Sequence, residues 1–133
     1  PDLVTGGAFT GDADDWTLGA GWAYGTNNVA ATTASTAMSQ AVDLVAGVEY
    51  SLVFTTTRSA GSVQASVGGT AGTSRSTADT FTETIVAGST GVLAFTGTGF
   101  TGTIDTVTCT PLTGNGTITG TVTVVWINAG DIA

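Results

Sequence analysis

The chain has 133 residues, ten carboxylates against only Arg58 and Arg75, a net charge of -8, and neither histidine nor lysine. This excludes Ser-His-Asp and Cys-His catalysis, imidazole metal ligation, and Schiff-base or P-loop lysine chemistry. Two arginines cannot build a basic patch, so nucleic acid and anionic membrane surfaces are not expected partners.

Hydrophobic residues at 41% argue against disorder, and the length suits one domain burying about two-thirds of its unfolded surface. The opening Pro1-Asp2-Leu3-Val4 shows no charged region followed by an apolar stretch, so no secretory leader is expected in the given sequence, and no apolar run is long enough to span a bilayer. Threonine is the commonest residue and glycine punctuates the chain about every ten residues, the texture of an all-β sandwich or barrel with no convincing helix.

In chain order, Asp12, Asp14 and Asp15 cluster in an expected loop. Strands are predicted at Ala37 to Val42, Glu49 to Thr57, Ser62 to Val67, Phe81 to Val86, Val92 to Thr96 and Thr103 to Thr110. In the second, Tyr50, Leu52 and Phe54 face inward, with Ser51, Val53 and Thr55 outward; in the third, Val63, Ala65 and Val67 face inward. Gly68 to Ser74 reads as a loop. Glu83 falls on the inward face of its strand, and a register-shifting bulge is favoured over a buried carboxylate with a partner. Cys109 cannot form an internal disulfide and reads as a small buried residue of a late strand. After Pro111, Leu112 to Gly116 is a turn signal. The run Thr117 to Asn128 then forms a C-terminal β extension, within an arm of residues 111–133. Its end, Val124-Val125-Trp126-Ile127, is apolar on both faces, which suggests cover from a neighbouring subunit and hence a homo-oligomer.

Three segments carry a family resemblance: Leu3 to Phe9 with Asp15 to Leu18 and Gly21 to Tyr24; Met38 to Val42 leading to Ala46 to Leu52; and Phe100 to Val107. Together, over residues 1–110, they resemble carbohydrate-binding-module-like jelly rolls, which occur in secreted glycosidases and abundantly in bacteriophage virion proteins. The resemblance implies an antiparallel β-sandwich of jelly-roll type. Its absence of an attached catalytic domain implies a virion structural protein, a capsid decoration or cement protein that docks as an oligomer onto the major capsid protein or another virion protein, assembled in the host cytoplasm. The alternative is a module that attaches a particle or enzyme to glycans.

Trp16 and Trp22 match core positions of that resemblance, leaving Tyr24 and Trp126 as the candidates for exposed ligand or partner contact. Asp12 and Asp14, with Asp105 closing the third motif, are the candidate ligands of a structural calcium, since related jelly rolls carry one near their first and last strands. The family's early acidic residue is Thr10 here, and the competing reading is an acidic turn with Asp side chains bonded to nearby amides. No catalytic residue is assigned: Glu49 starts one strand and Glu83 interrupts another, with nothing to pair them in a cleft.

Overall fold

The computed structural model describes residues 1–112. The C-terminal extension, and with it Trp126 and the run Thr117 to Asn128, lies outside the described residues. The described part is all-β: β1 (Thr17–Leu18), β2 (Trp22–Tyr24), β3 (Val29–Ala34), β4 (Ala37–Val42), β5 (Glu49–Val67), β6 (Thr70–Arg75), β7 (Asp79–Val86) and β8 (Gly91–Pro111). β4 has the expected bounds, and β7 starts two residues before those expected. The other expected strands merge. Two segments become β5 and two become β8, because each strand continues through its bend instead of ending there.

β5 and β8 pair antiparallel along nearly their whole lengths, from Tyr50↔Pro111 to Val67↔Leu93. The ladder is interrupted around Arg58, Ala60 and Ser62. At that point Gly61 adopts φ 68 and Gly99 opposite it φ 56, both in the left-handed region. A Cβ on Gly61 would run into the backbone carbonyls of Thr98 and Gly99. The paired strands therefore fold over on themselves at a point where a side chain would have no room.

The bend creates two layers. One runs β7, first half of β5, second half of β8, β3, β2; the other runs β6, second half of β5, first half of β8, β4, β1. This wrapped antiparallel ribbon around a single core is the expected β-sandwich of jelly-roll type.

Period-two alternation fills the space between the layers. Tyr50, Leu52 and Phe54 point inward from the first half of β5, and Val63, Ala65 and Val67 from the second, as the sequence predicts. Phe54 of one layer meets Phe95 of the other edge-on at 5.0 Å between ring centroids. Trp16 packs on Phe9 and Phe95, and Trp22 on Phe100. Gln40, buried on β4, fixes the N-terminal segment against this core: its Oε1 accepts the Thr5 N–H, and its Nε2 donates to the carbonyls of Thr5 and Asp15.

Two expectations are corrected. Gly68 to Ser74 is not a loop: only Gly68 and Gly69 turn, at φ 55 and 85, and Thr70 already pairs with Val67. Two successive positive φ values form the tight hairpin turn for which a Gly-Gly pair is suited, and β6 follows at once. β1 to β3 lie outside the expected strands. Val29–Ala34 is mostly alanine and threonine, shifts register between Ala31 and Ala34, and holds Thr33 at φ 48, so little alternation survives to be read.

Replacing Gly61 by alanine combines backbone overlap with a left-handed φ, and a loss of at least about 2 kcal/mol is expected by urea denaturation. The same change at Gly47, where φ is 87 and open space surrounds the Cβ position, costs only the conformational part.

Candidate functional site

The two layers part along the side where β6 and β7 run. Among the described residues each pairs only with β5. Between them lies a groove of about 600 Å³ lined by residues of both, including Gly72, Thr73, Arg75, Glu83 and Ile85.

Glu83 does not sit on a bulge. β5 and β7 stay in register from Glu49↔Val86 to Thr56↔Asp79, and the side chain points inward at 7% exposure. Of the two readings weighed from sequence, the buried carboxylate with a partner is the one found. Its Oε1 accepts the Thr73 N–H at 2.9 Å, and its Oε2 accepts the Arg75 Nε–H at 3.0 Å. Arg75 in turn lies over the Phe81 ring, 4.3 Å from its centroid. A β7 carboxylate thus satisfies an amide of β6 and ties the two layers across their open side. Gly72 makes this possible, since a Cβ there would overlap Glu83 Oε1. Sequence showed the misfit at position 83 but not its resolution, because Thr73 lies in the segment read as a loop and Arg75 directly follows it, where no strand was expected.

The β7 edge is different. Ala87 donates to the Val48 carbonyl and accepts from Gly47, so in this register the odd-numbered residues of β7 turn their backbone groups toward β5. Alternation then turns the N–H and C=O of Thr80, Thr82, Thr84 and Val86 outward. The Thr80 N–H is taken by its neighbour Asp79 Oδ1 at 2.8 Å; those of Thr82, Thr84 and Val86 have no partner among the described residues. The edges on the opposite side of the sandwich, β1 and β2, are only two and three residues long.

Outward from the core, the layer containing β7 presents a neutral hydroxyl-rich surface. Its register aligns Ser51 with Thr84 and Thr110, Val53 with Thr82 and Thr108, Thr55 with Thr80 and Asp105, and Thr57 with Thr103. Hydroxyl pairs stitch the rows, Thr55 to Thr80 at 2.9 Å and Thr57 to Thr103 at 2.7 Å. Asp105 is the one charged residue within these rows.

Of the residues singled out from sequence, Trp16 and Trp22 are core, at 6% and 5% exposure, and Tyr24 is exposed at 38%. Tyr24 stands without a second exposed tryptophan among the described residues, and its hydroxyl accepts the Asn27 N–H. Asp12, Asp14 and Asp105 are not brought into a ligand set: among the described residues no group of three metal-ligating side chains is assembled. Asp12 Oδ1 accepts the Asp14 N–H, the local amide bond of an acidic turn, and Asp105, within β8, accepts the Thr106 N–H on its Oδ1.

Cys109 is buried on β8, and its N–H donates to Asp2 Oδ1 at 2.8 Å. Burial, with the Asp2 charge as the lesser cause, pushes its thiol up to about 11 from the ordinary 9.0.

No protein-family model matches the chain, and no curated protein matches it.

Two outcomes follow from this geometry. Glu83→Ala strands the Thr73 amide and the Arg75 guanidinium and lowers stability by roughly 1–3 kcal/mol. Gly72→Ala displaces the same carboxylate, so the double variant, measured in a denaturant cycle, costs less than the sum of the two single changes. For Cys109, the neutral thiol is the form that fits the core. The unfolded chain ionises first, so its contribution is fully present below pH 9.0 and is lost as pH rises through about 11. A disulfide exchange reagent at pH 8 should leave the native thiol unmodified and label it fully in denaturant, and Cys109→Ala should flatten the decline in stability above pH 9.

Proposed function

We propose that this chain is a structural subunit of a virus particle, a decoration protein that docks as an oligomer on the shell. The hydroxyl-rich outer face of the β7-β5-β8 layer carries this reading. It is a strand-registered surface whose charges are Asp105 and, at its end, Glu49, on a protein of net charge -8, and four of its threonines are engaged in two hydroxyl pairs. Seating such a face against a protein surface buries apolar methyl groups and few charges, so little charge desolvation opposes association. Pairing that depends on buried methyl groups is also largely insensitive to salt, unlike a contact made by charge attraction. The resemblance to carbohydrate-binding-module-like domains of phage virion proteins supplies the particle, and the major capsid protein is the partner it implies.

Glu83 supports a docking role over catalysis, because both of its oxygens are engaged in holding the layers together. Among the described residues the second reading, attachment to glycans, rests on Tyr24, since Trp16 and Trp22 are buried.

The test is the occupancy of purified particles. Electron cryomicroscopy should show this protein on the shell, and Val53→Asp, at the centre of the face, should reduce its occupancy at least about tenfold while keeping a β-sheet circular dichroism spectrum. Undiminished occupancy of the Val53→Asp variant, or particles lacking the protein altogether, would count against the reading. Binding on a glycan array that is lost in Tyr24→Ala would replace it with the glycan alternative.

A further inference from the structure

The β7 edge and the chain beyond Leu112 carry the same pattern. On β7, Thr80, Thr82 and Thr84 alternate outward with Phe81, Glu83 and Ile85 inward. In the sequence that follows the described residues, Thr117, Thr119, Thr121 and Thr123 alternate with Ile118, Gly120, Val122 and Val124, and Trp126 continues the apolar set. We propose that this run adds as an antiparallel strand to the β7 edge of a second copy of the chain.

Three observations converge on that edge. First, β7 is the longest edge strand of the sandwich, and the N–H groups of Thr82, Thr84 and Val86 are turned outward with no partner among the described residues, the template that strand addition uses. The edge of β6, by contrast, has its Thr73 amide closed by Glu83. Second, the added strand finds a match on both of its faces. Its alternating threonines match the outward set of Thr80, Thr82 and Thr84, and its alternating Ile118, Val122 and Val124 match the inward apolar set of Phe81 and Ile85. Third, Val86 at the end of β7 and Leu112 at the end of the described chain are both exposed apolar residues, at 47% and 44%, and both adjoin Glu49. The receiving edge thus ends in an exposed apolar side chain, and so does the described part of the donating chain.

The same geometry selects a second copy over the chain's own edge. Leu112 donates to the Glu49 carbonyl on the β8 side of β5, whereas the free edge lies beyond β7. To reach it, the arm would have to pass over the end of the sheet where the β4–β5 and β7–β8 connections already meet, joined by Gly47 to Ala87 and Ala87 to Val48. Connections seldom cross at one end of a sheet. Donation to a neighbour requires no crossing and is self-complementary: each copy gives one arm and receives one.

Complementation between two full-length variants tests this. Thr82→Pro with Thr84→Pro blocks the edge while removing no bond to β5, because those N–H groups face away from it. Val122→Asp with Val124→Asp disables the arm and leaves every described residue unchanged. By sedimentation, the wild-type chain should self-associate, and each variant alone should lose at least about tenfold in self-affinity. An equimolar mixture should associate more tightly than either variant alone but less tightly than wild type, since the first variant still offers an arm and the second an edge, so one of the two contacts forms. Amide exchange supplies a readout that does not depend on the proline variant folding: Thr82 and Thr84 should be protected in the wild-type assembly and exposed in the aspartate variant. A monomeric wild type, variants that associate like wild type, a mixture that stays monomeric, or fast exchange at Thr82 and Thr84 in the wild type would each overturn the proposal. Particle occupancy is read separately: a monomeric wild type removes the arm exchange and the oligomeric part of the shell reading but not docking itself, whereas particles lacking the protein leave the arm exchange standing.

Discussion

Everything in this fold depends on two long strands that stay paired while turning a corner. β5 and β8 share a ladder that no loop interrupts, yet their two ends lie in different layers. A ladder resists sharp bending because its hydrogen bonds need matched residue positions on both strands. The bend is therefore confined to a short stretch where register shifts and Gly61 and Gly99 take left-handed conformations. Once that corner exists, the inward faces of the two halves oppose each other, and Phe54 and Phe95 meet across the space between layers. The remaining strands extend layers that this pair has already placed.

The corner also sets the character of the molecule's two sides. The N-terminal segment is fastened by Gln40 and by Leu3 donating to the Cys109 carbonyl, which covers part of the end of β8. Opposite, β6 and β7 descend from the two halves of the same strand but belong to different layers, so the sandwich opens between them. Glu83 answers that opening. A buried carboxylate is costly unless its hydrogen bonds are satisfied, and here one oxygen takes the Thr73 amide while the other takes Arg75. One acidic side chain thereby closes the β6 edge and fixes its distance from β7. The neighbouring strand keeps outward-facing amides, and the difference between the two edges is what makes the side directional as an attachment point.

The sequence carried much of the strand content and almost none of its continuity. Alternation at Tyr50, Leu52, Phe54 and at Val63, Ala65, Val67 was readable because a period of two is a local property of side chains. The union of those two runs into one strand was not, because Arg58 to Gly61 has no apolar pattern and is held in the sheet only by its pairing with β8. The loop reading of Gly68 to Ser74 failed for a related reason: two glycines suffice for the turn, and the small polar residues after them are held as a strand by their neighbour. The candidate site was legible only as an anomaly at Glu83. The three aspartates suggested a metal from their type, and geometry shows Asp12 and Asp105 engaged with amides one or two residues away.

What the sequence determined by itself was the all-β class, the inward faces of its principal strands, and the exclusion of histidine- and lysine-based chemistry. These follow from composition and from short-range periodicity, which no partner strand can alter. Tertiary structure decided where strands bend, which edges remain open and how a misplaced carboxylate is satisfied. Each of those depends on groups far apart in the chain, such as Gly61 against Gly99 or Thr73 against Glu83, whose meeting is fixed only when the layers close.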